Sequence, residues 1–294
     1  MELHFSEITT PPAPAATVIL LRSGQAGLQV LLQKRHSTMD VLGGAYVFPG
    51  GKVDADDYQP SLHARMDQSP AQLAQALQQS DIDPSLAAAL HVAALRELAE
   101  ESTIWLDAKP SPQAAAQQDL LIAQLQQGAR CSALAESMDL HLPVQALHAW
   151  SRWITPRMAS VTTKRFDTLF FVAEIPDGQT AAHDHQETTD SLWLAPREAL
   201  QQYWDRQVTL APPQIMTLAH LSRFDSASAV LAHAASRPPF LVEPEPHDLD
   251  GTRWLCYPGD AGHRHATQHM PGPTRLAWRN KRFEPAQGFE AFFA

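Results

Sequence analysis

The chain has 294 residues, a formal charge of −10, a pI near 5.7 and 44% apolar side chains, a composition expected of a soluble globular protein with enough material for a sizeable core. The acidic balance argues against a surface that coats nucleic acid, so an anionic ligand would need local Lys/Arg groups or a metal. Two cysteines, Cys131 and Cys256, make no disulfide framework and fit a reducing compartment.

Residues 1–14 are a polar, Pro-rich lead-in without a basic n-region. No apolar run reaches the length of a membrane span, and the final "EAFFA" matches no targeting tripeptide. The expectation is a cytoplasmic protein with no membrane partner. "AATVILLR" (15–22) and "LQVLLQKR" (28–35) read as a hairpin closed by a Gly-containing loop. A Gly-rich loop around a short strand, "AYVF", occupies 36–57. Residues 58–83 are rich in Gln, Ala and Asp with weak helical character, and read as a surface insertion outside the core. Pro84 follows Asp83, a suitable cap, and opens a mostly apolar helix to about Ser102. "IWLD" (104–107) suggests a short strand, and 111–140 a second polar, helical stretch.

Two long strands are expected at 146–156 and 165–176, and a loop leading into a strand at 183–196. Helices should begin at Pro196 and at Pro212. After residue 236 the chain is Pro-rich without clear periodicity, so a mostly irregular arm packed on the domain is expected. Elements in this order suggest an α/β fold, an α/β/α sandwich around a mixed sheet, with one domain over 1–235 and a C-terminal extension over 236–294.

The informative stretch is "RELAEES" (96–102), which puts Glu97, Glu100 and Glu101 on one helical face directly behind Arg96. Such a run has an ordinary reading as a solvated face with an Arg96–Glu100 pair. Its other reading is a site for Mg²⁺ or Mn²⁺, hard cations held by carboxylates and substrate phosphates. The loop upstream favours the second. Gly50 and Gly51 follow a strand and Pro49, where glycine lets peptide groups approach a ligand closely.

Together, "GGKVDADD … RELAEESTI" resembles the Nudix box of the Nudix hydrolases. Gly51 takes the glycine position, Asp57 stands where a Glu is usual, and Arg96, Glu97, Leu98, Glu100, Glu101 and Ile104 match the second half. Thr103 replaces the usual glycine, and an insertion of about 31 residues splits the box. The split is similar to that of the peroxisomal coenzyme A diphosphatase branch and its bacterial relatives. "LLQKRHSTMDVLGGAYVFPGG" also resembles the coenzyme A signature of such enzymes, with His36 for a Ser and Asp40 for a second Arg.

The resemblance implies a Mg²⁺- or Mn²⁺-dependent hydrolase of a nucleoside diphosphate linked to another group. Coenzyme A or acyl-CoA is the favoured substrate. NADH, ADP-ribose or a similar derivative is the alternative, and a non-catalytic ligand-binding module is the rival of another class. It further implies that Glu97 and Glu101 ligate the metal, that Glu100 is a further ligand or binds a metal-held water, and that the Gly51 carbonyl also reaches the metal. Arg96 would orient a carboxylate, and Glu187 or Glu97 would be the general base. Gly50, Gly51, Arg35 and Arg165 would meet the phosphates, and Asp57 would be a peripheral or capping acid. A homodimer is compatible with the family. His183, His185, His263, His265 and His269 lack the fixed spacing of a zinc site, and Trp105, Trp150, Trp153, Trp193 and Trp204 read as core rather than as nucleobase platforms.

Overall fold

The computed structural model describes residues 3–24, 27–39, 41–107, 111–159, 161–184 and 187–294. Its first elements are β1 (Ala13–Gly24), β2 (Gly27–Arg35), β3 (Tyr46–Val47), β4 (Gly50–Lys52), a 3₁₀ turn at Ala55–Tyr58, α1 (Pro60–His63), α2 (Pro70–Leu77) and α3 (Pro84–Ser102). There follow α4 (Pro112–Gln126), α5 (Cys131–Ser137), β5 (His148–Ile154), β6 (Phe166–Glu174), β7 (Thr188–Leu194), α6 (Pro196–Trp204), α7 (Pro212–Leu221) and α8 (Ala227–Ala235). The chain closes with β8 (Phe240–Val242), β9 (Glu245–Leu249), β10 (Thr252–Cys256), β11 (Arg275–Arg279) and β12 (Arg282–Glu284).

The central sheet runs β3-β2-β1-β6-β5-β8, with β4 also on β1 and β7 also on β2. It is mixed, as expected: β1–β6 and β5–β8 are parallel, the other pairs antiparallel. Both faces are buried, and the period-2 alternation divides the strands between two cores. Ala16, Val18, Leu20, Leu169 and Phe171 face the core beneath α2, α3 and α4. Ile19, Leu21, Phe170 and Val172 face the core beneath α6, α7 and α8. Helix layers on both faces of one sheet make the α/β/α sandwich.

Helix α3 starts where the sequence places it. Asp83 Oδ1 accepts the Leu86 N–H at 2.8 Å, and Pro84 occupies the first turn. It ends on Thr103 at φ +56°, ψ +29°, the left-handed conformation a glycine adopts there without steric cost. The helix therefore stops where the family glycine would stop it.

Three expectations change. "IWLD" forms no strand: Ile104, Trp105 and Leu106 are buried, and the Gln179 side-chain amide pairs with both Trp105 N–H and Trp105 C=O, at 3.2 and 2.7 Å, in place of a neighbouring strand. The 58–83 segment is no loose surface addition. Leu62, Leu73, Leu77 and Ile82 belong to the core beneath α3. Arg152, buried on β5, ties Asp81 of this segment to Asp167 of β6 with contacts of 2.6–2.8 Å. Its long gaps between apolar residues hide the contribution, because two short helices each bury a single stripe. Finally, the Pro-rich arm packs on the domain but carries β8 and a second, antiparallel sheet, β12-β11-β10-β9. Its strands of three to five residues are too short for periodicity to show.

Leu73→Ala should lower stability by about 2–4 kcal/mol, the usual cost of emptying a buried leucine site, read as a fall in Tm. Replacing 58–82 by a Gly/Ser linker, which the sequence reading expects the fold to tolerate, should abolish cooperative unfolding. A cooperative melt in the linker variant would return the segment to the surface.

Candidate active site

Strand β4 pairs with β1, with Gly51 opposite Ala16, and this lays the glycine loop against the last turns of α3. Both glycines answer a close approach. A Cβ on Gly50 would strike the Ala16 carbonyl and Thr17, and one on Gly51 would strike the Glu97 carboxylate. The Gly50 N–H donates to Glu101 Oε2 at 2.8 Å. Loop and acids therefore meet in space, which the solvated-face reading of the acidic run does not accommodate.

Arg96 is the hub beneath them, only 7% exposed. Its Nε and Nη2 donate to the two Asp57 carboxylate oxygens at 3.1 Å each. Nη1 donates to Glu97 Oε1 at 2.8 Å and to Glu100 Oε2 at 2.9 Å, and Nη2 to the Lys52 carbonyl at 3.0 Å. The bidentate geometry expected of Arg96 is present, and its planar fork suits that task. Asp57 is more than a peripheral acid. It is fully buried, and it closes a capping box by accepting the Asp54 N–H at 2.8 Å. Burial pushes the Asp57 carboxyl up, and Arg96 opposes that.

The acids above the hub are short of positive charge. Glu101 is buried, and its partners are the Gly50 N–H and the Arg35 guanidinium at 3.9 Å. Burial, followed by the repulsion of Glu97, holds its carboxyl well above the usual range. Burial also raises Glu97, with Glu187 and Asp57 adding repulsion against the pull of Arg96. Glu100 is pushed up to about 7, chiefly by burial.

Among the described residues no three His, Cys, Asp or Glu side chains form a ready metal cage. Carboxylates crowded into a low-dielectric site, with two of them beside backbone groups, still fit a hard cation that completes its shell with substrate phosphates and water. Gln33 of β2, fully buried, fixes this turn of α3: it donates to the Glu101 carbonyl at 2.8 Å and accepts from Ser102 Oγ at 3.1 Å. Sequence reasoning missed Gln33; its only signal is a polar residue inside an apolar strand.

A cleft of about 700 Å³ opens beside these groups. Gly50, Gly51, Glu97, Glu187, Arg35 and Lys52 line its polar end, and Glu187 is near enough to Glu97 and Glu101 to repel both carboxylates. Phe48, Trp153, Phe170, Pro212 and Leu255 line an apolar arm. Trp153 thus borders the cleft while remaining 4% exposed, and Trp105 and Trp150 are core, as expected. Arg165, expected to meet the phosphates, does not line the cleft. It donates to the Thr155 carbonyl at 2.8 Å and pairs with Glu243 at 3.7 Å, off the cleft. Its neighbour Lys164, in the bend that precedes β6, lines the cleft instead. Asp40 and His185 lie outside the described residues.

The family model of the NUDT19 Nudix domain matches residues 9–221. The chain belongs to that Nudix family. Acyl-coenzyme A diphosphatase NUDT19 of Xenopus laevis is 28% identical over 228 residues, which are 67% of this chain and 60% of that protein. The Homo sapiens protein of the same name is 28% identical over 235 residues, 69% of this chain and 62% of that protein. The chain thus spans about three fifths of the length of these curated relatives. The crystal structure of a Nudix hydrolase from Alicyclobacillus acidocaldarius superposes with a TM-score of 0.61 at 27% identity, covering 79% of this chain and 98% of that one.

Two substitutions separate the hub from the site above it. Asp57→Ala should cost about 3 kcal/mol, because it strands a buried guanidinium. A loss in calorimetry below about 1 kcal/mol would mean that Glu97 and Glu100 suffice to hold Arg96. Gly51→Ala should leave Tm within a few degrees, since the displaced group is the end of a glutamate side chain, yet lower kcat at least 100-fold. Retained activity in Gly51→Ala would show that Glu97 need not sit where it does.

Proposed function

We propose that the protein is a Mg²⁺-dependent pyrophosphohydrolase that cleaves coenzyme A or an acyl-CoA to 3′,5′-ADP and the corresponding 4′-phosphopantetheine. The observation that carries this reading is the placement of Glu97 and Glu101 against the Gly50–Gly51 backbone, with Glu97 and both glycines lining the polar end of a cleft whose other arm is apolar. The names of the two NUDT19 relatives support the substrate class, and the retained acids Glu97, Glu100 and Glu101 argue against a non-catalytic module.

Glu97 and Glu101 would hold the cation, with the Gly51 carbonyl and Glu100 as additional donors. Arg96 leaves Glu100 one oxygen for that purpose by taking the other. When bound, Mg²⁺ supplies charge neutralisation on the phosphates and lowers the pKa of a water. Glu187 is the group in this reading that takes the proton from the attacking water, and Glu97 is the alternative. Arg35, with Lys164 and Lys52, orients the phosphates. The apolar arm excludes water from the leaving group and accepts the thioester-bearing end.

Glu101→Gln should abolish turnover at saturating Mg²⁺ while the fold persists; an unchanged kcat would sink the metal assignment. Protons compete with the cation for carboxylates whose pKa values are raised. Mg²⁺ affinity should therefore fall as pH drops below about 7, the value Glu100 reaches, and binding at pH 7 should release protons. Calorimetry in two buffers of different ionisation enthalpy measures that release, and none would contradict the raised carboxylates.

The substrate is tested by kcat/KM for coenzyme A against 3′-dephospho-CoA. A ratio well above one that collapses in Arg35→Ala is expected, because the 3′-phosphate needs a cation. A ratio at or below one would favour NADH, ADP-ribose or another nucleoside diphosphate derivative.

A further inference from the structure

Gln214 is the third residue of α7 and lines the apolar arm of the cleft, yet it is only 6% exposed. Its Oε1 is buried and, among the described residues, has no hydrogen-bond partner. Native proteins rarely leave such a group unpaired, and one beside a cleft calls for a ligand. The helix start and the apolar wall of the arm offer no substitute. Pro212 and Pro213 lack N–H groups, the helix cap Ala211 has no polar side chain, Phe48, Phe170 and Leu255 are apolar, and the Trp153 indole N–H donates to Ser151 Oγ at 3.1 Å. Those same neighbours make the arm hostile to a charged group. A side-chain carboxamide carries one acceptor and a pair of donors, and it can turn either end toward the cleft. Its natural complement is a secondary amide, which offers one C=O and one N–H.

We infer that Gln214 is a specificity residue that pairs with a secondary amide of the substrate arm threaded through the apolar part of the cleft. The inference rests on the coenzyme A reading above and deepens it. The pantetheine arm of coenzyme A carries two secondary amides, whereas ADP-ribose carries none. Gln214 would thus read the part of the substrate that the phosphate-binding end does not see.

The test is Gln214→Leu, with Gln214→Met as a variant of closer shape should the first fail to fold. The measured quantity is the ratio of kcat/KM for coenzyme A to that for ADP-ribose. A lost neutral hydrogen bond should lower this ratio roughly tenfold, mainly through KM for coenzyme A. Binding of 4′-phosphopantetheine should weaken by a similar factor, and binding of 3′,5′-ADP should not change. An unchanged ratio, or an equal loss for both substrates, overturns the role of Gln214 and leaves the coenzyme A reading standing. A wild-type protein that cleaves ADP-ribose but neither cleaves coenzyme A nor binds 4′-phosphopantetheine overturns the coenzyme A reading, and the inference with it.

Discussion

The site depends on one buried ion pair. Arg96 and Asp57 are 39 positions apart in the chain and meet through two hydrogen bonds of 3.1 Å with almost no solvent access. The pair joins the glycine loop to the acidic helix across the insertion. It also spends the guanidinium in a particular way. Two donor positions hold Asp57, and a third divides itself between Glu97 and Glu100. The carboxylates are thereby set in place without being neutralised. A buried pair of this kind contributes little net stability against an apolar replacement, so its worth lies in geometry.

The second constraint is electrostatic imbalance above that pair. Burial and the repulsion of Glu97 and Glu187 raise the Glu101 carboxyl, burial and Glu187 raise that of Glu97, and Arg35 reaches Glu101 only at 3.9 Å. Burial without adequate compensation is costly in a part of the molecule that serves structure alone. In a site that takes up a divalent cation the same imbalance is the source of affinity. The surrounding sheet and Gln33 keep the acids from moving apart to relieve it.

The insertion that splits the motif is tied down at several points. Asp57 anchors its start, Leu62, Leu73 and Leu77 fill the core beneath α3, and Arg152 grips Asp81 near its end. Loop-closure entropy grows only slowly with length, so a long excursion between two halves of a site is tolerable when both ends are held. The C-terminal arm contributes in the same spirit, placing Pro244 and Leu255 on the cleft wall.

What the sequence alone determined is local. Helix α3 with its Asp83 cap, the hairpin of β1 and β2, the long strands β5 and β6 and the proline starts of α6 and α7 all follow from short-range patterns. The acids Glu97, Glu100 and Glu101 and the pair Gly50–Gly51 were legible because their spacing within one helix and one loop is itself the signal. Tertiary structure decided everything that joins distant segments. It buried Asp57, turned Arg165 toward Glu243 and Lys164 toward the cleft, replaced a strand at 104–107 by a loop held on Gln179, and set Gln33 against the acidic turn and Gln214 on the cleft wall. The physical reason is common to these cases. Charge pairing and burial are settled by which surfaces meet, and a polar residue looks the same in sequence whether its partner is water, an arginine 39 positions away or a ligand.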